Sequence, residues 1–371
     1  MDEDRPPSLV NQDSLTSVAP PKGNNGNSLY QRLTLPKRVA VLYSDVKREY
    51  FPTETQYLTE KDAFHDAQTI ASYLKRMGIE TELLAGNPSL PQRLREYKPD
   101  LVMNLVDSVK GNEYLSSTIP AVLELLEIPY TGTGILGRSL DYNKFLIKRL
   151  LQQFGVPVPH YQLFNTPLDP LDPTLRFPLI SKLNEIHGAV EISQEAVSET
   201  ERHLRERLKF LIKTYEQPIL VEEFIVGREI TVILFEGFRK KVYLAEKVFT
   251  KPENKYILVT FEDQWLKSGT ESFYYQKYRD PLLTEYVRRA FIIARMADYA
   301  KFDIRMDSSG RYFFIDSNSN PAFGPKEANC AISYILDLYE VSFIEILKRL
   351  LLNTVRDASS KEVIPVSEPL A

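Results

Sequence analysis

Hydrophobic positions along the chain change rhythm several times, and each change predicts a different kind of element. Order is expected to begin at KRVAVLYSD, where the apolar run Val39 to Tyr43 suits a strand buried on both faces of a parallel sheet. Phe64, Ala67, Ile70, Ala71, Leu74 and Met77 then recur at three- and four-residue spacing, which predicts a helix over roughly Lys61 to Met77 that stops at Gly78. ETELL and the run Leu101 to Val106 read as further strands, and STIPAVLELLEIPYTGTG supplies a helix and a turn of small residues near Tyr130. Strands alternating with helices predict an open α/β unit.

The rhythm shifts after residue 140. NKFLIKRLLQQF, from Asn143 to Phe154, reads as an amphipathic helix that GVPVP breaks. FPLISKL, a helix from about Gln194 to Tyr215, and the strands PILVEEFI, REITVILFE, KKVYLAEKVF and YILVTF make a strand-rich α+β region. A helix from Leu283 to Tyr299 follows, then the strands KFDIRMD and RYFFIDSN around Ser309-Gly310, then two closing helices. The expected organisation is a leader over residues 1–36, an N-terminal α/β domain over 37–140, a middle subdomain over 141–225, a C-terminal subdomain over 226–356 and a tail over 357–371. The leader is rich in Pro, Asn, Ser and Gly, so ordering it would bury little apolar surface.

Composition narrows the class of protein. The 371 residues are 43% hydrophobic, enough for a large core shared by several domains. The 46 basic and 50 acidic residues nearly cancel, which argues against nucleic acid or a membrane surface as partner. A single cysteine, Cys330, rules out an internal disulfide framework and fits a reducing compartment. With no apolar stretch near the ~18 residues of a membrane span and no signal-peptide core, a cytoplasmic location is expected.

Candidate chemistry concentrates in the hairpin, where Asp303, Asp307, Asp316, Asn318 and Asn320 lie among mostly apolar neighbours. Residues two apart on a strand share a face, so Asp303 and Arg305 can point together, as can Asp316 and Asn318. Two carboxylates and an amide oxygen converging there form a hard-oxygen site suited to Mg²⁺ bridging nucleotide phosphates. Asp307 and Asn320 read better as turn residues. Lys144 opens a helix after a loop, and Lys182 ends an apolar strand before the polar loop LNEIHGAVE, so either ammonium can neutralise phosphate. In VEEFIVGRE, Glu222 and Glu223 precede Phe224 and Ile225, with Glu229 beyond Gly227; such a strand edge can read adenine through its backbone and set a carboxylate on ribose.

In order and spacing, PDLVMNLVDSVKGNEY, LLEIPYTGTG, NKFLIKRLLQQFGVPVP, VEEFIVGREITV and DIRMDSSGRYFFIDSNSNP resemble the ATP-grasp superfamily, within it the D-alanine–D-alanine ligase-like branch, from Lys37 to about Arg356. The resemblance implies a three-part ATP-grasp fold, α/β and α+β, with ATP between the last two parts. It implies ATP and Mg²⁺ as cofactors, two ions with Mn²⁺ as a substitute, small-molecule carboxylate and amine substrates, and a homodimer. By it, Lys144 and Lys182 contact the nucleotide, Glu222, Glu223 and Ile225 frame adenine, Glu229 holds ribose, and Asp303, Asp316 and Asn318 bind metal. Lys301 falls where the ligases carry an arginine that stabilises the tetrahedral intermediate, and Arg305 matches an arginine of many relatives; these two are the catalytic candidates.

The departures cluster where substrate and phosphate bind. NEIHGAVEIS, with one glycine and His187, replaces a Gly/Ser-rich phosphate loop. Asp316 stands for a glutamate, Lys301 for an arginine, Ala322 for a glycine, and Gln264 for a frequent lysine, with Lys267 three residues on. The longer SDVKREYFPTETQYLTE replaces the short loop bearing an amine-binding glutamate, and leaves Glu49 and Glu54 as candidates. The expected activity is an ATP-dependent, ADP-forming ligase that joins a carboxylate to an amine through an acyl phosphate, with substrates other than two D-alanines. A dipeptide ligase and a ligase for a larger acceptor both stay open, and the alternative from another class is a nucleotide-binding protein without turnover.

Overall fold

The computed structural model describes residues 34–237, 240–250, 255–266 and 272–359. Three sheets organise them, one in each of the expected domain segments. In the first, strands β1 (Arg38–Tyr43), β2 (Glu80–Ala85) and β3 (Leu101–Asn104) run parallel in the order β2-β1-β3. The central position of β1 explains its unbroken apolar run, since Val39 to Leu42 have no exposed surface. Around it stand α1 (Glu54–Leu58), α2 (Ala63–Arg76), α3 (Leu90–Tyr97), α4 (Thr118–Leu125) and α5 (Ile135–Asp141). Ala67, Ile70, Ala71 and Leu74 form the buried face of α2, and Gly78 takes the left-handed φ of +80° that ends it.

Next comes α6 (Lys144–Gln153), capped by Asn143, whose side chain accepts from Leu146 N at 3.0 Å. A four-stranded antiparallel sheet follows, β4 (Tyr161–Phe164), β5 (Leu179–Leu183), β6 (Val197–Ser198) and β7 (Ile219–Glu223), in the order β4-β7-β5-β6. Its helix α7 (Glu201–Tyr215) starts later than the periodicity predicts, because Val197 and Ser198 pair with β5 and Thr200 caps the first turn. Leu204, Leu208, Leu211 and Tyr215 seal that sheet.

The third sheet is antiparallel throughout, with β8 (Gly227–Phe235), β9 (Lys241–Phe249), β10 (Phe273–Tyr278), β11 (Tyr299–Asp307) and β12 (Tyr312–Asn318) in the order β10-β9-β8-β11-β12. The segment YILVTF is not the expected strand. Thr260 and Asp263 close a capping box there and start the short helix α8 (Phe261–Trp265), while the fifth strand is the unforeseen β10. α9 (Pro281–Ile293), α10 (Ala331–Leu338) and α11 (Phe343–Ser359) complete the order, and Tyr299, expected to end a helix, begins β11.

Both faces of the third sheet are covered. One shares a core with the first sheet and the closing helices, through residues such as Val41, Tyr299, Ile335 and Leu347. Onto the other packs α6, whose Ile147 and Leu151 join Val232, Phe302 and Phe314 in one cluster. The helix placed by sequence in the middle segment therefore rests on the C-terminal sheet and carries its lysines to the edge of β12. Phe302 and Phe314, at most 1% exposed, meet edge to face with centroids 5.7 Å apart; truncating either would cost ~3–5 kcal/mol. Among the described residues, no helix is long and apolar enough to cross a membrane.

Candidate active site

The β11–β12 pairing sets Asp303 opposite Asp316 and Lys301 opposite Asn318, with the register shifting after Asp303. Asp303 accepts from Thr231 Oγ1 at 2.7 Å and from Lys247 Nζ at 3.3 Å, and it pairs with Lys301. Burial alone would raise its pKa, but Lys247 and Lys301 outweigh burial and hold the carboxyl well below the usual carboxylate range. Asp316 has a different environment. Its short polar contact is Asn318 Nδ2 at 3.3 Å, and among the described residues no lysine or arginine reaches salt-bridge distance of it. Burial is again the largest influence on its pKa, and Lys144, His187, Lys301 and Lys182, acting at longer range, overcome it and keep Asp316 ionised. Two ionised carboxylates and an amide on one strand pair are hard oxygen donors, so the residues fit Mg²⁺.

Beside this centre lies a buried ionic triad. Glu222, 1% exposed on β7, sits 3.0 Å from Lys148 Nζ and 3.0 Å from Lys182 Nζ. Both lysines also donate to the carbonyl of Ile315, and Lys148 to that of Phe314, which ties the middle sheet to β12. Burial pushes the Lys148 ammonium down to about 8 despite Glu222. Lys144 Nζ donates to the carbonyl of Ile186 at 2.7 Å, so it anchors the loop after β5. Glu223 accepts from Arg176 N at 2.9 Å, on the outer side of the strand edge.

Glu229, on β8, is held by Lys247 at 2.8 Å and by Arg305 at 2.9 Å. Burial would raise its pKa, and these two cations lower it below the ordinary value. Arg305 also donates to the carbonyls of Ile225 and Ile257 and lies 4.6 Å over the ring of Phe224. Of the two cations expected near the reacting atoms, the structure therefore places Lys301 against Asp303 and Arg305 against Ile225 and Glu229. Asp307 caps the hairpin turn, accepting from Ser309 N and Arg311 N, as expected.

The loop after β5 is pinned from two sides. His187 donates its backbone N–H to Glu113, with Nδ1 2.8 Å from Glu113 Oε2, and Trp265 Nε1 donates to the carbonyl of Gly188 at 2.7 Å. Lys267 lies outside the described residues. In the long first loop Glu49 is exposed and the exposed Glu54 pairs with Arg48, while Glu60, unremarked in the sequence, is the buried one. Lys148 and Lys247 were also missed. Each had a visible signal, a lysine on the apolar face of α6 beside Ile147 and Leu151, and another at an inward position of β9.

A carboxylate pair on one sheet, with Lys182 of a second sheet and Lys148 of α6 reaching the strand that carries Asp316, is the arrangement expected of an ATP-grasp protein. Comparison with known proteins agrees. The family model described as D-ala D-ala ligase C-terminus matches residues 150–332. The chain is 26% identical to the D-alanine–D-alanine ligase of Aquifex aeolicus over 68% of this chain and 83% of that protein. It is 30% identical to the uncharacterized protein y4sG of Sinorhizobium fredii over 71% of this chain and 80% of that one. The D-alanine–D-alanine ligase of Bacillus anthracis, solved in complex with ATP, superposes with a TM-score of 0.67 at 16% identity, covering 87% of this chain and 99% of that structure, a likeness of fold. The chain belongs to the ATP-grasp superfamily, in its D-alanine–D-alanine ligase-like branch.

Proposed function

We propose that the protein is an ATP-dependent, ADP-forming ligase that joins a carboxylate to an amine through an acyl phosphate, with substrates other than two D-alanines. The observation that carries this reading is the ionised Asp316, which faces Asp303 and is ringed at a distance by Lys144, Lys182, Lys301 and His187. Carboxylates for metal and cations for phosphate within one cleft suit phosphoryl transfer, where catalysis is mostly positioning and charge stabilisation. Asp303, Asp316 and Asn318 would hold Mg²⁺, which supplies charge neutralisation at the phosphates. Lys144 and Lys182 bind phosphate and the base side, the strand edge from Glu222 through Glu223 to Ile225 frames adenine, and Glu229 takes the ribose hydroxyls. Lys301 stabilises the oxyanion that forms when the amine adds to the acyl phosphate. Arg305 orders Glu229 and the adenine edge. The doubt about D-alanine rests on Lys301, on the shorter Asp316 and on the long first loop, all of which shape the reacting end of the cleft. A cytoplasmic setting and a homodimer belong to the same proposal.

The test is phosphate release with ATP and Mg²⁺ across a panel of amino acids and dipeptides. Amine-dependent release is expected from the wild type and none from Asp316→Ala, whose circular dichroism stays native because Asp316 holds no ion pair among the described residues and bonds only its strand neighbour Asn318. ATP binding with no release on any substrate pair would favour a nucleotide-binding protein. Wild-type turnover by Asp316→Ala would remove the metal assignment.

A further inference from the structure

Next to the metal hairpin, three separate stretches of chain bring four carboxylates into one buried cluster, called here the acidic pocket. Glu60 follows α1, Asp107 and Glu113 lie in the loop beyond β3, and Asp141 ends α5. Glu60, Glu113 and Asp141 are each more than nine-tenths buried. Ser108 Oγ donates to Glu60 at 2.7 Å, Glu113 faces His187, and Ser319 donates to Asp141 through its N–H at 2.8 Å and its hydroxyl at 2.7 Å. Asn320 Nδ2 donates to Asp107 at 3.0 Å, so the pocket begins two residues past the metal-site Asn318.

The charges in this pocket do not balance. Among the described residues, the cations that act most strongly on Asp107 and Asp141 are Arg138 and the imidazole of His187. Arg138 is itself engaged, with Nη2 on the carbonyl of Val106 at 2.9 Å and on Ser116 Oγ at 3.0 Å. Burial, reinforced by Asp107 and Glu113, drives the Glu60 carboxyl up to about 8, and burial, partly offset by Arg138, drives Asp107 up to about 6.

Two buried acceptors lack a donor, Asp141 Oδ1 and Gln56 Oε1, and in the same cluster Arg138 Nε and His187 Nε2 are also without a partner. Gln56, 3% exposed on α1, lies four residues before Glu60, and its amide nitrogen reaches the carbonyl of Gly111 at 3.4 Å, in the same loop as Glu113. Buried polar atoms are normally satisfied, so donorless acceptors among carboxylates mark a place for N–H groups.

We infer that this pocket receives the amine substrate as a species with a second positive charge, a basic amino acid or a diamine, whose distal ammonium lies among Glu60, Asp107 and the Gln56 carbonyl. The inference rests on the ligase reading for the word substrate, and on the pocket alone for its charge preference. Asn320 links the pocket to the hairpin, so the near amine of such a molecule lies on the Lys301 side.

Calorimetry on the full chain with Mg²⁺ and a non-hydrolysable ATP analogue tests it, comparing 1,4-diaminobutane with butylamine and L-lysine with norleucine. Each dication should bind roughly tenfold or more tightly than its partner, the scale of one added charge-assisted hydrogen bond, and the margin should shrink with salt. Asp107→Asn should erase most of the margin. Glu60→Gln provides a second variant should the first fail to fold, as judged by circular dichroism. Equal affinities, or a margin that survives both substitutions, would overturn the inference and leave the ligase reading to the phosphate-release panel. Dication binding without release on any substrate would keep the cation site and sink the ligase reading.

Discussion

Replacing Glu222 by glutamine tests whether the ionic triad is a built part of the cleft. The substitution keeps the shape and removes the charge that Lys148 and Lys182 share, each at 3.0 Å. At an effective dielectric of about 20, each contact corresponds to roughly 5 kcal/mol of gross attraction, most of which offsets desolvation. What counts is the cost of leaving a partner uncompensated, about 3–5 kcal/mol for a buried pair. Two features of the structure place this case near the lower end. Lys182 is 12% exposed and can turn toward water, and Lys148, 4% exposed, keeps the carbonyls of Phe314 and Ile315. A loss of about 3 kcal/mol is expected, a large part of the ~5–15 kcal/mol that holds a typical domain folded. Urea denaturation followed by far-UV circular dichroism would read it as a shift in midpoint at constant slope. Trp265, the single tryptophan, bonds Gly188 in the loop after β5, so its fluorescence reports separately on that loop. A loss under about 1 kcal/mol would refute the reasoning, since it is the range of an exposed pair and would mean that water reaches both lysines.

Lys182→Ala should weaken ATP binding by roughly tenfold, about 1.4 kcal/mol, while the fold persists; equal affinities in calorimetry would count against its place in the nucleotide site. Amide exchange over residues 183–193 should slow with a non-hydrolysable ATP analogue and Mg²⁺, and unchanged rates at saturation would mean the loop does not respond to nucleotide. Asp298 is buried against Gly132 N and Asn353, and burial raises its carboxyl to about 7. With an unfolded value near 3.8, the unfolded chain holds fewer protons between those two pH values, so this group's stabilisation is complete below about pH 4 and is lost as pH rises through 7. Asp298→Asn cannot titrate, so the wild type should lose thermal stability relative to it between pH 4 and pH 7; parallel curves would show that the carboxyl titrates normally.

The sequence by itself determined what depends on neighbours in the chain. The continuous run of β1, the spacing of α2, the amphipathic pattern of α6 and the Ser-Ser-Gly hairpin are local patterns, and the structure keeps each of them. Asp303 and Asp316 were legible for the same reason, because the short hairpin turn between them leaves few registers that put both on one face. YILVTF misled because a short apolar run fits a strand or a helix, and its outcome was decided by the Thr260–Asp263 capping box. Only tertiary structure decided the remainder. Lys148 and Glu222 are 74 positions apart, and so are Glu113 and His187; nothing in a local window relates one member of such a pair to the other. Arg305 reads as a companion of Asp303 on one strand face, yet Glu229 and the Ile225 carbonyl are the groups that hold it. Glu60 looks like any glutamate in a polar loop. It became a buried acid only when Ser108 bonded it and Gly111 met Gln56 on the preceding helix, because burial is a property of packed surfaces and the partners that impose it come from distant parts of the chain.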